Sequence, residues 1–138
     1  DFGRVERLDE YQFVMTQPLP RPVGNIGIAV LNGLRYEDVV AQADAVITKP
    51  GYGIVSECLA NRVPVLYTAR GDFAEYDRLV EGLQRFGVCR FIGNDDLLAG
   101  NWRDALEAVL AQPRDWAELP ADGAAVAAGI LQALLPPV

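Results

Sequence analysis

Lys49, Gly51, Gly53 and Glu57 stand together in one short stretch, Lys-Pro-Gly-Tyr-Gly-Ile-Val-Ser-Glu, and Arg70 follows downstream. These residue types suit an anion that carries a sugar. A lysine ammonium beside a glycine turn can reach an anion that the turn holds. Glycines at 51 and 53, with Tyr52 between them, allow backbone angles and close approaches that a side chain would forbid. Glu57 has two uses: to cap a helix start, or to accept hydrogen bonds from two neighbouring sugar hydroxyls. Arg70 also has two, contact with a phosphate or a surface ion pair with Asp72 or Glu75. Asp72 shares that ambiguity. A Gly-x-Gly pair alone is a weak signal, because most strand–turn–helix corners bind nothing.

The elements that must position these residues are legible around them. Residues 45–48 form a short apolar, β-branched run, as expected for a parallel strand covered on both faces. Pro50 blocks continuation of a central strand. From Ile54 the period is helical, with Ile54, Val55, Cys58 and Leu59 on one face and Gly53, Glu57 and Ala60 on another. A helix N-terminus therefore emerges from a glycine turn at the carboxyl end of a strand, which is where open α/β sheets bind ligands. Its free amides and dipole favour an anion.

Further strands are expected at residues 11–16, 26–31, 63–68 and 88–92. Residues 1–10 are charged and aperiodic, and residues 17–25 form a proline-marked loop. Helices are expected at 36–43, 73–86, 96–112 and 122–135. The first has Tyr36, Val39, Val40 and Ala43 inward. The second carries one stripe, Phe73, Tyr76, Leu79, Val80, Leu83 and Phe86, and ends at Gly87. The last is alanine-rich, with Val126, Ile130, Leu131, Leu134 and Leu135 as its core side. Strands alternating with helices give an α/β fold: a doubly wound, mostly parallel sheet of about five strands with helices on both faces, forming a single Rossmann-like domain over residues 1–138.

Composition narrows the function. The chain has 138 residues, 51% of them hydrophobic, enough for one well-cored domain. It has no apolar run of spanning length and no basic segment leading into an apolar one, so neither membrane insertion nor secretion is expected. A net charge of −7 argues against general nucleic-acid binding and confines any phosphate ligand to a local site. There is no histidine, which removes the commonest general base and the commonest metal ligand; no metal and no cofactor are expected. Cys58 and Cys89 lack metal-ligand spacing and read as reduced core residues of a cytoplasmic protein. Trp102 and Trp116 read as packing residues.

The run Ala-Asp-Ala-Val-Ile-Thr-Lys-Pro-Gly-Tyr-Gly-Ile-Val-Ser-Glu-Cys-Leu-Ala, followed by Arg62-Val63-Pro64-Val65-Leu66, resembles the C-terminal, donor-binding half of GT-B glycosyltransferases. The broad type is family 28-like, which includes the N-acetylglucosaminyltransferase of lipid II synthesis. Residues 49–57, with Arg70-Gly71-Asp72-Phe73 and Leu79, more closely resemble the glycosyltransferase-like domain that precedes the kinase in plant L-arabinokinases. The resemblance covers residues 25–95 and implies transfer of a hexosyl or N-acetylhexosaminyl group from a nucleotide-sugar, commonly a UDP-sugar. By position, Gly51, Gly53 and the following amides face the diphosphate or sugar, and Lys49 and Tyr52 of the same turn join the expected nucleotide-sugar site. Glu57 matches the glutamate that binds the ribose hydroxyls. Asn32 and Gly33 fall where the family's backbone contacts the base, and residues 70–76 where it reads the transferred sugar. The lipid II enzymes place a histidine and two glutamines in that last loop. Here Gly71, Glu75 and Tyr76 stand instead, so donor identity does not carry over.

The implied mechanism is electrostatic: helix amides and Lys49 stabilise the departing nucleoside diphosphate. No residue is a convincing catalytic base; in the family, base and acceptor come from a separate N-terminal domain. Two alternatives stay open, an inactive sensor or interaction domain and a sugar-nucleotide epimerase-type enzyme. The family also places a strand, a glycine-rich turn and a helix before the strand matched by residues 11–16. Only ten residues precede it here, so the chain is expected to be a fragment, inactive alone. Two arrangements follow for the strand position beside residues 45–48. Either the strands at 11–16 and 45–48 pair directly, or the gap stays as an apolar sheet edge that recruits a second copy.

Overall fold

The computed structural model describes residues 2–120 and 122–135. Its elements run α1 (Phe2–Val5), β1 (Phe13–Met15), β2 (Ile26–Ile28), α2 (Tyr36–Val40), β3 (Val46–Thr48), α3 (Tyr52–Ala60), β4 (Val65–Tyr67), α4 (Tyr76–Phe86), β5 (Cys89–Phe91), α5 (Asn94–Ala99), α6 (Arg103–Leu110) and α7 (Gly123–Leu134). All five strands pair in parallel, but in two sheets, β1–β2 and β3–β4–β5. The fold is α/β with helices flanking parallel strands, as the alternation of strands and helices predicts.

The three-stranded sheet is covered on both faces. On one, Val65 and Tyr67 pack with Val55, Cys58 and Leu59 of α3 and Leu79 and Leu83 of α4. On the other, Leu66 packs with Leu8, Ile92 and Leu106, and Ile47 joins them. Alternation along β4 sends Val65 and Tyr67 one way and Leu66 the other, which is why this strand is buried throughout. The outer edge of β5 is occupied by a side chain: Gln112 Nε2 donates to the Cys89 carbonyl at 3.2 Å.

β1 and β3 do not pair. The Val46 amide donates to Pro64 and the Thr68 amide to Thr48, so both β3 residues face β4 and Ile47 turns its backbone the other way. The two sheets meet instead through side chains. Trp102 lies edge-on to Phe13 with ring centroids 5.2 Å apart and packs against the clusters under both sheets. The N-terminal segment, expected to be aperiodic, contains the helical turn α1. It is fastened by buried Asn25, whose Nδ2 donates to the Val5 and Leu8 carbonyls at 2.9 Å each. Glu10 pairs with Arg103, and Arg4 donates to Asn101.

Four helices depart from expectation. α2 ends at Val40 rather than at residue 43, and Tyr36, expected inward, is 41% exposed. The helix expected over 96–112 is divided into α5 and α6, because Gly100 adopts a left-handed conformation (φ +78°) that ends the first. α4 starts at Tyr76, since Gly71 (φ +70°) turns the chain and holds Phe73 outside the helix. The largest difference is α7. Its expected core side, Val126, Ile130, Leu131, Leu134 and Leu135, is exposed throughout. α7 has a single polar side chain, Gln132, so its sequence defines no inward face. Both faces of the three-stranded sheet are already covered by other elements.

Candidate functional site

β3 runs into Lys49-Pro50-Gly51, and α3 begins at Tyr52. Gly51 is the N-cap and offers no side chain, so the first turn is not capped from within. Val55 is the first amide of the helix with a carbonyl to donate to, that of Gly51 at 3.0 Å. The amides of Tyr52, Gly53 and Ile54 have no acceptor among the described residues. Gly53 therefore lies inside the helix, one position from its start. A Cβ placed there meets nothing within 4 Å. Glycine costs about 1 kcal/mol relative to alanine in a helix interior and less in a first turn, and no close contact in the fold requires it here.

Gly51 differs from the expectation of an unusual backbone. Its φ of −151° and ψ of 155° are ordinary extended values. A Cβ there would stand 2.9 Å from Nη1 of Arg70, the movable end of a long side chain, so a larger residue would displace the guanidinium. That guanidinium donates to the Pro50 carbonyl at 2.6 Å, and its Cζ sits 3.8 Å from the centroid of the Phe73 ring. The surface pairing of Arg70 with Asp72 or Glu75 does not occur; among the described residues Arg70 forms no ion pair. A cation is thus held beside the α3 N-terminus by neutral contacts only, its charge unanswered. Lys49 is exposed on the strand side of the same turn.

Glu57 is one helical turn beyond Gly53, on the same side, and half-buried. It does not cap α3. Its carboxylate has no hydrogen-bond or ion-pair partner among the described residues. Next to it, burial pushes the Cys58 thiol up to about 12, and the Glu57 charge adds to the effect. Burial likewise raises the half-buried Cys89, and both cysteines are free thiols.

Asn32 and Gly33 lie in the loop between β2 and α2, with Gly33 at φ +80°. α2 packs against α3: Val40 joins the α3 core, and the Tyr36 hydroxyl is raised first by burial and then by Cys58. This brings the loop to the flank of α3, but no hydrogen bond among the described residues ties Asn32 or Gly33 to the glycine turn. Tyr52 is 60% exposed at the mouth of the turn. The structure therefore joins Lys49, Gly51, Tyr52, Gly53 and Arg70 around one turn, sets Glu57 one turn along, and places Asn32 and Gly33 only nearby. Sequence reading missed Pro50 and Phe73 as the partners of Arg70. The signal was Gly71, whose left-handed backbone folds Phe73 back under Arg70.

A separate cleft of about 500 Å³ lies beyond β5, lined among others by Arg90, Phe91, Asp96, Asn101 and Arg103. Its polar groups are largely engaged with one another or with the N-terminal segment: Asn101 with Asp96, Arg103 with Glu10 and Glu107. No helix of the described residues is long and apolar enough to cross a membrane.

No family model matches the chain. Among curated proteins, the L-arabinokinase of Arabidopsis thaliana is 36% identical over 95 residues, which is 69% of this chain and 9% of that protein. The chain spans under a tenth of the length of the curated relative it matches. No solved structure matches it. The shared region is thus a weak, partial likeness to part of a much larger sugar kinase.

Proposed function

We propose that this chain is the donor-side half of a glycosyltransferase, and that the turn at the start of α3 holds the diphosphate of a nucleotide-sugar, with UDP the first nucleotide to test. One observation carries the reading: an arginine without a carboxylate partner is held beside three unanswered helix amides, above a glycine that leaves open space. Lys49 supplies a second cation. Glu57, half-buried and unpartnered, takes two ribose hydroxyls. Asn32 and Gly33 meet the base through the loop that α2 sets beside α3. During transfer, negative charge grows on the leaving diphosphate, and the amides with Lys49 and Arg70 stabilise it. The base and the acceptor come from a second, N-terminal domain of the parent protein.

A binding module without turnover is the second reading, favoured by the partial match to a protein named as a kinase. It uses the same site and differs only in showing no transfer in the parent protein. Calorimetric titration with UDP and with uridine tests what both share. UDP should bind more tightly than uridine, and Glu57→Gln should weaken UDP by roughly 1.5–3 kcal/mol, as expected for lost hydrogen bonds to a charged acceptor. Lys49→Ala should weaken UDP but spare uridine. Equal affinity for UDP and uridine in the wild-type protein would refute a diphosphate site.

A further inference from the structure

We propose that Phe73 and Gly51 are positioning residues that hold Arg70 in its ligand-facing place; this rests on the diphosphate reading above. Arg70 is an exposed arginine, a side chain that ordinarily samples many rotamers. Here two contacts fix it, and a third residue leaves room for them. The Pro50 carbonyl takes one of its five N–H donors at 2.6 Å. The Phe73 ring lies against the guanidinium with its centroid 3.8 Å from Cζ. Gly51 leaves the space that a Cβ, at 2.9 Å from Nη1, would take away. The Gly51 backbone is ordinary, so a side chain at this position would be accommodated by moving the Arg70 guanidinium out of this place.

Neither contact partner carries a charge. The clasp therefore removes conformational freedom from Arg70 while leaving its positive charge and its other donors for an anion. An ion pair with Asp72 would have fixed the side chain equally well and cancelled the charge. Ordering the cation before the ligand arrives removes a cost that binding would otherwise meet. Gly71, at φ +70°, is what brings Phe73 back beneath Arg70.

The test titrates UDP and uridine into the wild-type protein, Phe73→Leu, Phe73→Tyr, Arg70→Ala and the Arg70→Ala/Phe73→Leu double variant, with a thermal melt of each. Arg70→Ala should weaken UDP by about tenfold or more, as expected for a charge-assisted contact. Phe73→Leu should follow in the same direction, and Phe73→Tyr, which keeps the ring face, should restore wild-type affinity. The double variant should bind UDP no more weakly than Arg70→Ala alone, and uridine affinity should stay constant throughout. If Phe73→Leu binds UDP like the wild type while Arg70→Ala does not, the clasp fails and the diphosphate site stands. If Phe73→Leu lowers the melting temperature and weakens UDP and uridine alike, Phe73 only staples the loop. A wild-type protein that binds no UDP overturns both the clasp and the site it serves.

Discussion

Strand β4 and the C-terminal helix α7 are both rich in apolar residues, yet they differ completely in burial. Leu66 in β4 and Leu83 in α4 are fully buried, whereas Ile130 and Leu131 in α7 are 58% and 64% exposed. Apolar content alone does not decide burial. In β4 the side-chain alternation offers two faces, and separate helices cover each. In α4 charged residues such as Asp77, Arg78, Glu81 and Arg85 mark the outside, so Leu79 and Leu83 have one way to turn. α7 has no such marking. The β1–β2 pair lies between these extremes, with Ile26 buried on one face and Val14 56% exposed on the other. The candidate site belongs to the doubly covered region, where a rigid strand end and a packed helix fix its turn.

The largest effect expected from this contrast is on stability. Leu83→Ala should cost about 2–5 kcal/mol, as large-to-small changes in packed cores do, while Leu131→Ala should stay within about 0.5 kcal/mol. Urea denaturation of both variants measures the difference. Comparable losses would mean that α7 is packed in solution, and the contrast would fall.

Gly87 sharpens the same comparison by overpacking. A Cβ there would lie 2.7 Å from Leu59, 3.2 Å from the Leu83 carbonyl and 3.3 Å from Trp116. Gly87→Ala should therefore destabilise by about 1–3 kcal/mol. Gly129→Ala in α7, where a Cβ meets nothing within 4 Å, should instead stabilise by up to about 1 kcal/mol, because alanine is the better helix former. Thermal melts of the two variants should move in opposite directions.

The covered region should also give stability a pH dependence. Burial raises the folded Cys58 thiol to about 12, above its ordinary value, so the folded state keeps a proton that the unfolded chain releases first. That contribution is fully present below about pH 9 and is lost as pH rises from there toward 12, at no more than about 1.4 kcal/mol per pH unit. Denaturation at pH 8 and pH 10.5 should show the loss. Cys58→Ala, though less stable, should show a shallower slope; an unchanged slope would remove Cys58 as its source.

Much of the fold was legible because strands and amphipathic helices carry periodic signals. All five strands appear where β-branched or aromatic runs predict them, though each is shorter than its run. The rest depended on backbone conformation or tertiary pairing. Gly100 divides one expected helix into two, a choice that a glycine near polar residues does not announce. The non-pairing of β1 and β3 is a tertiary fact with no local trace. At the site, the strand–turn–helix corner and its residues were legible. The neighbour that occupies the space over Gly51 was not, since it is Arg70, nineteen positions away along the chain.

A small stability effect at the site is the most informative about function. Gly53→Ala should raise stability by about 0.5–1 kcal/mol, since alanine favours the helix and its Cβ meets no neighbour. It should at the same time weaken UDP, by filling space beside the free amides. A variant that gains stability and keeps full UDP affinity would show that the open space over Gly53 serves no ligand.

The central claim, that the turn between β3 and α3 holds a nucleoside diphosphate, is tested most directly by following backbone amide resonances while UDP is added. The account predicts that the largest shifts fall on Tyr52, Gly53 and Ile54, with Arg70 and Glu57 next. Shifts confined to the cleft around Arg90 and Asn101, or no shifts at millimolar UDP, would contradict it.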